Sequence, residues 1–190
     1  MEDTAADTTR FLNELEQDLT GENRGDAQDR LEAFIKDRAE DPSIVAPVMA
    51  MIENLDKVRR YYALDAVVSV SLNAPDDSEI EKAALAKWDE LIERIAQNDI
   101  FDALKWASHP GLFCEPEAML AATGISKWSD LIDRAAAIDP ARALLFARDM
   151  AHAQPWNPFA IIASMSADVI ENQMKQKPGT PPPPAPLPFN

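Results

Sequence analysis

The side chains best suited to chemistry are few: His109, Cys114 and His152. Cys114 follows His109 by five residues, close enough for an imidazole to draw off a thiol proton and make a nucleophile. No orienting acid or electropositive neighbour accompanies the pair, and Glu115 reads as the start of the next helix, so Cys114 is expected to be an ordinary, partly buried cysteine. Two histidines and one cysteine are too few for a closed zinc site and match none of its spacings. His152 closes a helix, where a positive side chain complements the dipole. Asp76-Asp77 and Glu79/Glu81 read as helix-start charges of the opposite kind. There is no phosphate-binding glycine loop, dinucleotide fingerprint or GxSxG elbow. The sequence therefore names no catalytic residue, no metal ligand and no cofactor, and the expectation is a protein that is not an enzyme.

What the sequence does offer is a repeat. "KWDELIERIAQNDIFDALKWA" from Lys87 aligns without a gap with "KWSDLIDRAAAIDPARALLFA" from Lys127, and ten of 21 positions are identical. Trp88, Leu91, Ile92 and Ile95 fall at i, i+3, i+4, i+7, one face of a helix, and Trp128, Leu131, Ile132 and Ala135 repeat it. Glu90 with Arg94, and Asp130 with Arg134, are acid-then-base pairs one turn apart. Asp99 and Asp139 each suit the cap of a second helix, and Pro140 suits its first position. That second helix carries Ala103, Leu104 and Ala107 in one copy, and Ala143, Leu144 and Ala147 in the other. A weaker third copy precedes these, with Ile52 under Ile92, Ala63-Leu64 under Ala103-Leu104, Val48 in the tryptophan position and Arg59 in the cap position.

The fold class expected is all-α: antiparallel hairpins at about 43–73, 79–108 and 115–153. The repeat is near 40 residues, in the range of HEAT and armadillo units. The resemblance to HEAT-type hairpins is architectural, covers residues 43 to 153 and carries no functional residue across. A short solenoid and a compact helical bundle both fit the pattern.

Around the repeats, residues 1–6 are expected to fray and residues 7–177 to form one helical domain. Helices are expected near 7–20 and 26–39, with Gly21 and Gly25 bracketing the turn between them. Asp41 should cap the next start, with Pro42 after it. "VVSVSL" (67–72) alternates like a strand but is read as the end of a buried helix from Tyr61-Tyr62. Ser78 with Glu81 makes a capping box. A short helix near 115–123 should end at Gly124. The last helix should be capped by Asn157 and stapled by Trp156 and Ile161. Its inward face should hold Phe159, Ile162, Met165, Val169 and Ile170. From Pro178 more than half the residues are proline, so 178–190 should be a disordered, extended polyproline-II tail.

Composition limits the partners. Net charge is −15, the wrong sign for phosphate backbones or anionic lipid. No apolar run reaches membrane-spanning length. The opening residues are acidic and polar, unlike a signal peptide, and the lone cysteine has no disulfide partner, so a reducing, cytoplasmic setting is expected. The leading expectation is a protein–protein interaction or adaptor module. Its candidate contacts are Trp106 and Phe146 on the second helices and Pro181, Pro184 and Pro186 in the PxxP-containing tail. Trp88, Leu91, Ile92, Trp128, Leu131 and Ile132 are expected to be structural, as are the caps Asp99 and Asp139. The alternatives are an acidic inhibitor mimicking nucleic-acid charge and a small acidic assembly or secretion chaperone.

Overall fold

The computed structural model describes residues 2–109, 119–153 and 158–176. Among these the chain is helical, with no strand. It divides into two compact units, Met1–Leu91 and Ile92–Asn190. In the first lie α1 (Glu2–Thr20), α2 (Arg24–Arg38), a 3-10 turn (Pro42–Ile44), α3 (Val45–Val58) and α4 (Arg60–Asn73). The helix α5 (Glu79–Ala96) runs across the division, and α6 (Ile100–Ser108), α7 (Met119–Ile138), α8 (Pro140–Ala153) and α9 (Pro158–Gln176) belong to the second. In the first unit α1 packs on α2 and α3, and α4 on α2 and α3; in the second α7 packs on α6, α8 and α9, and α8 on α9.

The helix starts follow from local chemistry. Asp41 accepts a hydrogen bond from the Ser43 amide at 2.9 Å, with Pro42 opening the 3-10 turn. Ser43 donors hold the Asp41 carboxyl below its usual pKa. The Ser78 hydroxyl accepts from the Glu81 amide at 3.2 Å. The returning Glu81 carboxylate takes the Asp77 amide at 2.7 Å, one residue before the expected partner. Asp77 has φ 62° there, a turn conformation that aspartate tolerates better than most residues. Asp99 accepts from the Phe101 amide at 2.9 Å, and Asp139 from the Arg142 amide at 3.0 Å.

The turns recur in detail. The amides of Arg59, Asp99 and Asp139 donate to the carbonyls of Leu55, Ile95 and Ala135, each at 2.8 Å. Arg59 adopts φ −154°, ψ 120°, close to the φ −147°, ψ 108° of Asp99, although its side chain makes no cap. Ile44, Val48, Met51, Ile52 and Leu55 are buried; so are Ala84, Trp88, Leu91, Ile92 and Ile95, 40 positions on. Trp128, Leu131, Ile132 and Ala135 are buried after another 40. The pairs Ala63-Leu64, Ala103-Leu104 and Ala143-Leu144 are buried as well. "VVSVSL" lies in α4, with Val67, Ser69, Val70 and Ser71 buried.

Four local expectations change. Helix α1 starts at Glu2, so residues 2–6 belong to it. Gly25 lies inside α2 rather than at the edge of the turn, since a glycine in the first helical turn costs little. Gly124 does not end a helix: it is buried in the interior of α7, in the position of the buried Ala84 of α5, where a small residue admits a close neighbour. Helix α9 turns a different face inward. Phe159 and Ile170 are buried as expected, with Ala160, Ala163, Ala167 and Met174, while Met165 and Val169 are exposed. Small alanines on the buried face suit a close helix–helix contact, and α8 and α7 are the helices that pack on α9. Cys114, Asn157, Trp156 and the tail from Pro178 lie outside the described residues.

Candidate interaction surfaces

In each unit two helices meet through a similar charged contact. Lys87 on α5 makes an ion pair with Glu53 on α3, and a second at 3.0 Å with Glu90. Lys127 on α7 reaches Glu93 on α5 at 2.6 Å. Arg134 adds two bonds to the same carboxylate, at 2.9 and 3.3 Å, and a third to Asp130 at 2.9 Å. Burial works against the charge on Lys87, but its bonds to Glu53 and Glu90 prevail and raise its pKa. The Arg134 and Lys127 bonds hold Glu93 below the usual glutamate range. Sequence alignment matched Lys87 with Lys127 but did not find their partners, which are on neighbouring helices; the signal was the matched acid, Glu53 with Glu93, at the same interval.

The two aromatic candidates on the second helices are half-buried. Trp106 on α6 meets the His109 ring edge-on, centroids 5.2 Å apart. Phe146 on α8 leans on Phe101 of α6 with ring centroids 6.3 Å apart, and the Arg142 guanidinium lies 3.9 Å from the Phe101 ring centre. Each of the two is thus partly engaged in packing within the second unit. The remaining candidates, Pro181, Pro184 and Pro186, lie outside the described residues. Trp88 and Trp128 are 1% and 0% exposed and lie in the core.

The first unit carries a cluster that sequence reading missed. The Arg24 guanidinium lies 5.0 Å from the Tyr61 ring centre and 4.8 Å from that of Tyr62, and pairs with Asp65. Arg59 stands 6.0 Å from the Tyr62 ring centre. A hydrogen bond between the tyrosines lowers the pKa of Tyr61 and raises that of Tyr62. Arg24 comes from α2 and the tyrosines from α4, so only the packing of these two helices reveals the cluster.

The described residues include two open grooves. One, of about 340 Å³, lies between α1 and α3, floored by Leu12 and Met51 and edged by Glu16 and Asn54, which bond to each other at 3.1 Å. The other, of about 420 Å³, lies where the end of α8 meets the start of α9, lined by Ala151, His152, Ala160, Ile161, Ser164 and Met165. His152 Nδ1 is 2.6 Å from the Arg148 carbonyl oxygen. Beside this groove Ile161, Met165 and Val169 are 63%, 61% and 52% exposed, a ridge at i, i+4, i+8. On α5 a row exposed at the same spacing runs through Lys82, Ala86 and Glu90. Among the described residues no group of three or more His, Cys, Asp or Glu side chains could hold a metal ion. None of the described helices is long and apolar enough to cross a membrane. No family model, curated protein or solved structure matches the chain.

Proposed function

We propose that this chain is a protein–protein interaction module built from HEAT-like hairpins of about 40 residues. It would act by binding rather than by catalysis, in a cytoplasmic setting. The observation that carries the reading is the recurrence of one turn: the amides of Arg59, Asp99 and Asp139 bonded to Leu55, Ile95 and Ala135 at a 40-residue interval. The Lys87–Glu53 and Lys127–Glu93 pairs, at that same interval, support it. A hairpin of this kind cannot bury its apolar face alone and uses its neighbours to do so. Its remaining surface is free for a partner, as in other helical-repeat scaffolds.

Trp106 is the contact expected to matter most: aromatic, half-exposed and one position from the buried Ala107. Large aromatic side chains carry a disproportionate share of binding energy in protein interfaces. The tail, with Pro181, Pro184 and Pro186, is a second element suited to an aromatic-lined groove on a partner. The test is affinity capture with the full-length chain beside Trp106→Ala and beside a Pro181→Ala/Pro184→Ala/Pro186→Ala variant. A stoichiometric partner lost with Trp106→Ala assigns binding to the helical surface; one lost only with the proline variant assigns it to the tail. Recovery of no stoichiometric partner by any of the three overturns the reading.

A further inference from the structure

The α9 ridge needs an occupant. Ile161, Met165 and Val169 stand more than half exposed in one row and lead into the groove formed with Ala151 and His152. Three side chains are a small patch for a free partner, since a stable interface takes about 20–30 residues a side. A tethered segment works under other terms. Its effective concentration reaches roughly millimolar for a short linker, so weak contacts suffice to hold it.

The chain supplies such a segment directly after α9. Residues 178–190, "PGTPPPPAPLPFN", contain no charged side chain and end in two large apolar ones, Leu187 and Phe189. The lengths agree. Helix α9 rises about 1.5 Å per residue, which puts Ile161 roughly 22 Å back from Gln176. A polyproline-II chain advances about 3.1 Å per residue, so about seven residues cover that distance. Reversing at Pro178-Gly179, the stretch 180–187 would run back along the ridge and bring Leu187 to the Ile161 end. Three residues per turn place Pro181, Pro184 and Leu187 on one face of such a chain. Only Asp168 interrupts the ridge with a charge, and an uncharged ligand is not repelled by it.

We propose that the proline-rich segment 178–190 folds back on its own α9, with Leu187 and Phe189 seated in the groove beside Ile161, Met165 and His152. This occupant does not depend on the interaction-module reading, which concerns a second protein. The test uses the full-length chain with methyl-labelled methionine. The Leu187→Ser/Phe189→Ser variant changes residues beyond α9, and circular dichroism checks that the helical fold remains. The Met165 methyl resonance is expected to move in the variant, and to move back toward its original position when synthetic peptide 178–190 is added at millimolar concentration. Met119, exposed on α7, serves as the control and should stay in place. A Met165 resonance unchanged in the variant overturns the proposal. So does a Met165 shift that depends on dilution of the parent protein, which would make a second copy the occupant.

Discussion

Lys127 Nζ lies 2.6 Å from Glu93 Oε1, and 40 residues earlier Lys87 meets Glu53 from the same position on its helix. Glu93 also holds Arg134, so one carboxylate serves two cations. Its side chain is 33% exposed and that of Arg134 39%, so water screens much of their attraction; Lys127 is more enclosed, at 11%, but a glutamine would still offer it an oxygen. Glu93→Gln is therefore expected to cost about 1 kcal/mol rather than the several of a buried pair. Asp133 occupies the same place in α7 and is exposed; Asp133→Asn should change stability by less than about 0.5 kcal/mol. Urea denaturation of the two variants beside the parent decides it, and equal losses would remove any special role for Glu93.

The same carboxylate sets a pH dependence. Its folded pKa is lowered from the ordinary 4.5, because the bonds from Arg134 and Lys127 favour the charged form. A depressed folded pKa contributes stability that is complete above the unfolded value and disappears as pH falls through the folded one. Stability should thus decline below about pH 4.5, and Glu93→Gln should make that decline shallower. At the alkaline end Lys87 has the opposite sign. Its folded pKa is raised from 10.5, so its contribution is complete below that value and is lost as pH rises through the folded pKa. Unfolding midpoints measured from pH 3 to 6 for parent and variant test the acid limb; parallel curves would refute it.

Trp128 is wholly buried, and its indole Nε1 has no hydrogen-bond partner among the described residues. An unpaired buried donor costs about 1–3 kcal/mol, so part of what this side chain gains by packing is lost again at its nitrogen. Trp128→Phe removes the donor while keeping most of the apolar volume, and is expected to stay within about 1 kcal/mol of the parent. Trp128→Ala should cost about 3–5 kcal/mol through the cavity it leaves. Chemical denaturation of both variants separates the two effects, and a Phe variant as damaged as the Ala one would show that the indole nitrogen is not the liability.

The sequence made legible what depends on neighbours within one helix or one turn. The spacing of Trp88, Leu91, Ile92 and Ile95 marked a buried face, and the aspartates before α6 and α8 marked caps, because both signals operate over three or four residues. It did not reveal what depends on a second helix. The Arg24–Tyr61–Tyr62 cluster joins residues about 37 apart, and the Lys127–Glu93 contact crosses 34. Helix α9 was misread for a related reason. Its apolar side chains spread over a wide arc beside a polar stripe of Ser164, Asp168, Glu171 and Lys175, so spacing could not choose which part of that arc is buried; the part holding Ala160, Ala163 and Ala167 is. The exposed ridge that resulted had no sequence signature of its own.

Arg59 provides the last prediction, because backbone and side chain disagree there. Its φ and ψ match those of Asp99 to within about 12°, and its amide makes the equivalent bond, yet its side chain caps nothing. An aspartate in a backbone already set for it would accept from the Tyr61 amide at the start of α4, as Asp99 does from that of Phe101, while the Tyr62 amide already donates to the Arg59 carbonyl at 2.9 Å. Such a cap is worth about 1 kcal/mol. Against this stands the loss of the Arg59 contact with Tyr62, 6.0 Å away and worth about 0.5 kcal/mol at an exposed site. Arg59→Asp should therefore stabilise by about 0.5 kcal/mol, and Asp99→Ala and Asp139→Ala should each destabilise by about 1 kcal/mol. Thermal unfolding of the three variants gives the comparison. If Arg59→Asp lowered the midpoint while the two alanine variants behaved as stated, the third turn would match the others in backbone alone, with its arginine held for the tyrosine contact.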